Sequence, residues 1–319
     1  MVDVGSVIDG KYRVLRELGR GGHARVFEVE HLRLQRRHAL KVLRTSMGPE
    51  VHDRFSREAR SAALLDHPSV VKVSDFGSTK AGAPYLVMEM VEGTSLAERL
   101  RQLGPVEPVE ALDLIARVAR GVHHAHENGL VHRDLKPHNV MLRKGGGVKI
   151  VDFGLAAWSE RLDPNRLTQV GELFGTPAYM SPEQATAEST DRRTDVYALG
   201  LMLWEMLMGR APFEGATPFE TLQLQIEQPL PHLRDDLRDR FPELDAVVQR
   251  AAAKRPEDRF EDADAFRRAV EDVLRPQSPA TEESLPSVKP AIHARLVVAV
   301  GLLLVLGFVL WWGVSGAAE

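Results

Sequence analysis

The run His132-Arg133-Asp134-Leu135-Lys136-Pro137-His138-Asn139, with Asp152-Phe153-Gly154 thirteen residues beyond it, constrains this chain more than any other stretch. It sets a hydrogen-bond-accepting carboxylate, a cation and two oxygen ligands for a hard divalent ion close together, in the order phosphoryl transfer requires. Such a transfer asks for little covalent chemistry from the protein. It asks that the nucleophile be aimed and that phosphate charge be neutralised. A fold that uses this run must bring further cations and a phosphate-cradling loop to it from elsewhere.

Candidates for those parts lie upstream. Leu18-Gly19-Arg20-Gly21-Gly22-His23-Ala24-Arg25-Val26 fits a loop whose bare backbone can approach phosphate oxygens, although taken alone it is a weak signal that reads more readily as an ordinary glycine hairpin. Lys41 sits inside an otherwise apolar strand, where an ammonium needs a partner, and Glu58 on the following helix is the natural one. Within the central run Asp134 can accept a hydrogen bond from an attacking hydroxyl, and Lys136 can neutralise charge on a γ-phosphate. Asn139 offers a carbonyl oxygen and Asp152 a carboxylate to a magnesium-type ion. A second Asp-Phe-Gly at Asp75-Phe76-Gly77 precedes the central run rather than following it, and is read as a decoy in a strand-ending turn. His123, His124, His126, His132 and His138 crowd the same region, but the carboxylate or thiolate ligands of a zinc site are not convincingly beside them.

Apolar and charged residues alternate over Tyr12–Leu18, Arg25–His31 and Arg37–Leu43, predicting strands, with further strands at Val70–Val73 and Pro84–Met90. Pro49 opens a helix whose apolar face carries Phe55, Ala59, Ala62 and Leu65. Downstream the pattern is helical: Ser95 and Glu98 form a capping box, Leu112, Ile115, Ala119 and Val122 repeat at helical spacing as far as Asn128-Gly129, and Ala198–Met208 is apolar on nearly all sides. A strand-rich half followed by a helix-rich half predicts an α+β pair of lobes.

The 41 Lys+Arg and 45 Asp+Glu are interspersed, so no basic stripe suggests nucleic acid, and with no cysteine a disulfide framework or thiolate metal site is excluded. The N-terminus, Met1–Gly5, has no basic or apolar region of a signal peptide, and residues 1–11 read as an N-terminal leader to the first strand. Residues 275–294 are rich in Pro, Ser and Glu without periodicity, which predicts a flexible juxtamembrane linker. From Leu296 to Val314 the chain is continuously apolar for nineteen residues, long enough to span roughly 28 Å as a helix. Lys289, His293 and Arg295 precede it, so the expectation is a single-pass anchor over 295–315, everything before it cytoplasmic, and a short extracytoplasmic tail at 316–319.

Taken together, these residues resemble a membrane-attached, eukaryotic-like serine/threonine protein kinase of the bacterial type over about residues 10–274, on motifs that also include Gly175–Glu183, Asp195 and Arg259. The resemblance implies the two-lobed protein-kinase fold, an N-lobe and hinge over 12–92 and a C-lobe over 93–274. It implies ATP and Mg2+ as cofactors, with Leu18, Gly19, Arg20, Gly21, Gly22 and Lys41 around the nucleotide. Val26 and Ala39 should cover the adenine from above and Met141 from below, with backbone hydrogen bonds from Glu89 and Val91 at the hinge and Met88 as gatekeeper. Lys136 and Thr176 resemble the serine/threonine branch, and Glu183 should pair with Arg259 to brace the C-lobe. Arg133 beside Asp134 implies a phosphate switch, with Thr168 the expected autophosphorylation site; a second phosphothreonine two residues on is impossible at Val170. Expected partners are proteins with Ser or Thr acceptors, the membrane, and a second copy if dimerisation drives trans-phosphorylation. A pseudokinase, a small-molecule phosphotransferase of related fold and a membrane scaffold with incidental activity are the alternatives. Lys41, Asp134 and Asp152, all present, argue against the first, and Gly175–Glu183 against the second.

Overall fold

Alternation with a period of two becomes an antiparallel sheet because one face of each strand must find apolar company. The computed structural model describes residues 2–21, 24–43, 49–153 and 177–275. Its first half contains β1 (Val7–Ile8), β2 (Tyr12–Arg20), β3 (Ala24–His31), β4 (Arg36–Leu43), helix α1 (Pro49–Ala63), β5 (Val73–Ser78) and β6 (Pro84–Glu89). The strands form one sheet in the order β1-β2-β3-β4-β6-β5, with every pairing antiparallel. Phe27, Val29, Leu40, Val42, Tyr85 and Val87 close a core on one face of the sheet together with Tyr12 and Val14. Ala39 and Lys41, one position out of phase with Leu40 and Val42, are therefore turned to the opposite face.

The strand expected at Val70–Val73 begins only at Val73. Val70 instead makes an isolated parallel bridge to Ile150. Asp75-Phe76-Gly77, expected in a strand-ending turn, lies inside β5 and pairs with β6, with a register irregularity between Val73 and Asp75. The long-range partner of Asp75 explains the difference: its Oδ2 accepts a 2.8 Å hydrogen bond from the Tyr12 hydroxyl, and Lys11 Nζ lies 3.4 Å away.

The second half begins with β7 (Gly93–Ser95) and α2 (Leu96–Leu103), whose N-cap is the expected Ser95–Glu98 capping box. Helix α3 (Pro108–Glu127) stops at Asn128 as its sequence predicts. A 3-10 turn at Pro137–Asn139 leads into β8 (Val140–Arg143) and β9 (Val148–Ile150), a hairpin paired on its other side with β7. Beyond residue 176 come a 3-10 turn at Pro177–Tyr179 and the helices α4 (Pro182–Ala185), α5 (Arg193–Met208), α6 (Pro218–Glu227), α7 (Asp235–Arg240), α8 (Leu244–Ala251) and α9 (Ala263–Leu274). Helix α5 is buried along nearly its whole length and ends at Gly209, whose φ of 79° is the left-handed cap conformation. With α3, α8 and α9 packed around it, α5 is the floor on which the site is built.

Residues Met1–Arg275 make one compact unit. Among the described residues no helix is long and apolar enough to cross a membrane, and the segment 295–315 lies outside them.

Candidate functional site

The central run forms the loop between α3 and β8, and its shape depends on one carboxylate beneath it. Asp195, in the first turn of α5 and fully buried, accepts the backbone N–H groups of His132 and Arg133, each at 2.8 Å. Its Oδ2 also lies 2.8 Å from His126 Nε2. A carboxylate only accepts, so that ring nitrogen carries its hydrogen. Burial pushes the Asp195 carboxyl up, but the His126 hydrogen bond and the nearby imidazoles hold it below its ordinary value. These bonds keep Arg133 at φ 64°, a left-handed conformation costly for a side chain of this kind. Gln184 adds a 2.8 Å hydrogen bond to the Arg133 carbonyl.

That bend brings the side chains of the run together. Lys136 Nζ lies 2.9 and 2.8 Å from the two oxygens of Asp134. Asn139 Nδ2 donates to the Asp134 backbone carbonyl at 2.7 Å and to its Oδ2 at 3.2 Å. With its nitrogen committed there, Asn139 has its amide oxygen to offer. The Asn139 carbonyl accepts the Val151 N–H at 2.9 Å, fastening the loop to the strand end that carries Asp152. His132, fully buried, places Nε2 3.0 Å from the Val151 carbonyl and packs against Phe153 with ring centroids 4.7 Å apart. Asp152 itself has a φ of 66°. The two positive φ values fall at the two ends of the loop–hairpin unit, where strain is tolerated because many bonds over-determine it.

Lys41 reaches the same place from the N-terminal sheet. Its Nζ pairs with Asp152 Oδ2 at 2.9 Å. Burial pushes the Asp152 carboxyl up, while the charge and hydrogen bond of Lys41 bring it below its ordinary value. The expected Lys41–Glu58 pair is not among the ion pairs of the described residues, where Lys41 pairs with Asp152. Glu58 lies on α1 and is partly buried.

Other predicted residues fall around this centre. Val26 pairs with Lys41, and Ala39 with Met88, in the strand register. Met141 on β8 stands opposite Ser95 and Lys149. Gly19 and Arg20 end β2, Leu18 is partly exposed, and the Gly21 N–H bonds the Ala24 carbonyl at 2.9 Å. Glu17 ties the loop's base, with Arg20 and Arg25 at 2.9 and 2.6 Å. At the hinge the Glu89 N–H is donated to the Lys72 carbonyl at 2.9 Å, so of its backbone only the carbonyl can serve a ligand. The Glu89 carboxylate is tied to Lys149 Nζ at 2.5 Å and the Lys72 N–H at 2.8 Å, a link the sequence did not suggest. Val91 packs against the main core. Gly22, Gly154, Thr168 and Thr176 lie outside the described residues.

Below the site, Arg259 and Glu183 form the expected brace. Two parallel hydrogen bonds of 2.8 and 2.7 Å join them, both side chains are buried, and Thr194 donates to the same carboxylate at 2.7 Å. Burial opposes ionisation of Glu183, and the Arg259 fork more than offsets it, so the carboxyl is held below its ordinary value. Among the described residues no group of three or more metal-binding side chains gathers. The oxygen donors of Asn139 and Asp152 nevertheless suit a hard cation that takes its remaining ligands from phosphate.

The protein kinase domain family matches residues 12–272. The chain belongs to the protein kinase family. Curated relatives include the serine/threonine-protein kinase PknB of Mycolicibacterium smegmatis, 39% identical over 278 residues that make up 85% of this chain and 44% of the relative. The serine/threonine-protein kinase PrkC of Bacillus subtilis is 36% identical, covering 82% of this chain and 40% of the relative. The kinase thus spans less than half the length of these relatives. Among solved structures, the kinase domain of Mycobacterium tuberculosis PknI superposes with a TM-score of 0.69 at 29% identity, covering 86% of this chain and 100% of that one. The two-lobed fold expected from the sequence is the fold of this family.

Proposed function

We propose that this kinase transfers the γ-phosphoryl group of ATP to serine and threonine hydroxyls of proteins. The observation that carries the reading is the convergence of Lys41, Asp134, Lys136, Asn139 and Asp152 on one braced loop. Asp134 accepts the hydrogen bond of the acceptor hydroxyl and aims its oxygen at the γ-phosphorus. The new O–P bond forms as the bond to the β-phosphate bridging oxygen breaks; ADP leaves, and the hydroxyl proton passes to Asp134. Lys136, already against Asp134, supplies positive charge beside the transferred group, and Lys41 does so for the phosphates behind it. Asn139 and Asp152 would hold Mg2+, which neutralises phosphate charge when bound.

The serine/threonine assignment is supported by Lys136 and by the relatives' names. Autophosphorylation at Thr168 is supported by Arg133, whose Nε is buried with no hydrogen-bond partner among the described residues and suits an incoming phosphate oxygen. The apolar segment 295–315 supports attachment to the cell membrane with the kinase domain on the cytoplasmic side, where dimerisation would favour trans-phosphorylation. The test is mass spectrometry of a generic basic protein incubated with Mg-ATP and the full chain. Phosphoserine and phosphothreonine should form with wild type and vanish with Lys41→Met; phosphotyrosine alone, or no product, contradicts the reading.

A further inference from the structure

The turn Pro177–Tyr179 follows Thr176 directly and is held from below by two side chains that the reaction as described does not use. The Tyr179 hydroxyl bonds Glu205 on α5, and Gln225 Nε2 on α6 donates to the Pro177 carbonyl at 3.1 Å. Gln225 is a fully buried amide in an otherwise ordinary helix. Its Oε1 accepts from the Tyr197 hydroxyl at 2.5 Å, and its backbone carbonyl accepts from Lys254 Nζ at 2.7 Å. Lys254 Nζ is also 3.1 Å from the Tyr197 oxygen.

These bonds have a direction. At neutral pH Lys254 is an ammonium, which donates and never accepts, so it gives a hydrogen to the Tyr197 oxygen. Tyr197 then has its own hydrogen to give, and Gln225 Oε1 takes it. Only the NH2 end of the amide remains to face Pro177, and a carbonyl is the acceptor it needs. Burial pushes the Tyr197 phenol well up, which keeps that hydrogen in place. Two cations lie against the ring, with Arg259 Cζ 4.8 Å and Lys254 Nζ 5.5 Å from its centroid, and Lys254 rests over Phe213 at 4.2 Å. Arg259 is itself fixed by Glu183, so the chain starts from an anchored point.

We infer that this one-way chain, Lys254 to Tyr197 to Gln225 to Pro177, sets the position of the turn beside Thr176 and makes Tyr197 and Gln225 positioning residues for the acceptor peptide. The inference rests on the kinase reading, since a peptide acceptor gives the turn its task. With Tyr197→Phe the ring and its cation contacts remain, but Gln225 Oε1 loses the donor that orients the amide. A neutral hydrogen bond of this kind carries enough free energy to change affinity roughly five- to tenfold.

The experiment is steady-state kinetics of the full chain in detergent with a serine peptide, varying peptide and ATP separately. Tyr197→Phe should raise the peptide KM about five- to tenfold and leave the ATP KM where it was. Gln225→Asn, which keeps a buried amide but shortens it by one methylene, should give the same split and is read in its place if Tyr197→Phe does not fold. Unchanged peptide KM, or equal worsening for peptide and ATP, overturns the inference and leaves the kinase reading standing. Absence of transfer by wild type overturns both.

Discussion

Replacing Asp195 by Asn tests the brace beneath the catalytic loop. The carboxylate accepts three hydrogen bonds at 2.8 Å, with the His132 N–H and His126 Nε2 on Oδ2 and the Arg133 N–H on Oδ1. An amide has one oxygen. It will turn that oxygen toward the two donors at Oδ2, and its NH2 will then face the Arg133 N–H. One buried backbone donor loses its acceptor and meets another donor, at a cost of about 1–3 kcal/mol, and the two remaining bonds weaken because they are no longer charge-assisted. Without that bond, Arg133 has less reason to stay at φ 64°. The expected loss of about 2–4 kcal/mol should lower the melting temperature by roughly 5–15 °C for a unit of this size. Below the melting point, kcat should fall more than the ATP KM changes, because Asp134 follows Arg133 directly. The pH dependence supplies a second reading. The folded Asp195 pKa is held below its unfolded value, so its stabilisation is present above the unfolded carboxyl range and is lost as pH falls through the folded pKa. The gap in stability between wild type and Asp195→Asn should therefore narrow on acidification below about pH 4. Calorimetry across pH with parallel phosphotransfer assays measures both. An unchanged melting temperature with unchanged kcat refutes the reasoning.

The two Asp-Phe-Gly copies should separate cleanly. Asp152→Asn removes the partner of Lys41 and should abolish phosphotransfer, whereas Asp75→Asn weakens the Tyr12 contact, costs about 1 kcal/mol in denaturant unfolding and leaves kcat intact; comparable activity losses in both contradict the assignment. Glu183→Gln leaves Arg259 buried without its counter-charge and should cost roughly 3–5 kcal/mol by chemical unfolding, and a cost near zero contradicts the brace. Gly77→Ala would set a methyl 2.8 Å from the Tyr85 hydroxyl oxygen, so a loss of about 1–3 kcal/mol is expected by thermal melting. Burial and the neighbouring Arg259 lower the Lys254 pKa to about 8. Between pH 8 and the unfolded lysine value the unfolded chain holds the extra proton, so wild-type stability relative to Lys254→Met should rise across that window; urea unfolding at pH 8 and 10 measures it, and a fall reverses the sign of the argument.

The strands that carry Lys41 were legible because they are amphipathic and pair with their neighbours in sequence. Helix α5 was legible because it has no polar face to spare. The hairpin of β8 and β9, which sets the distance between Asn139 and Asp152, was not read, although Gly145-Gly146-Gly147 marks its turn. Each of its strands is too short for alternation to register. Asp75-Phe76-Gly77 misled the boundary of β5 because turn-type residues can sit in a strand when a distant hydroxyl, here that of Tyr12, satisfies the carboxylate. The ion pair of Lys41 with Asp152 was not read for a related reason, since periodicity gives the face of a strand and not which acids lie across from it. Gln225, Tyr197 and Lys254 were invisible in the sequence. Each is unremarkable on its own element, and only packing of α5 and α6 with the segment after α8 joins them.

The central claim is that Asp134 aims a serine or threonine hydroxyl at the γ-phosphate of ATP. Its most direct test is transfer of labelled γ-phosphate to matched peptides differing only in a Ser, Thr or Tyr acceptor, with wild type and Asp134→Asn compared side by side. The account predicts transfer to Ser and Thr but not Tyr, and a fall in kcat of about 10²–10⁴-fold in the variant with little change in ATP KM. Equal transfer to all three acceptors, or an Asp134→Asn variant as active as wild type, would contradict it.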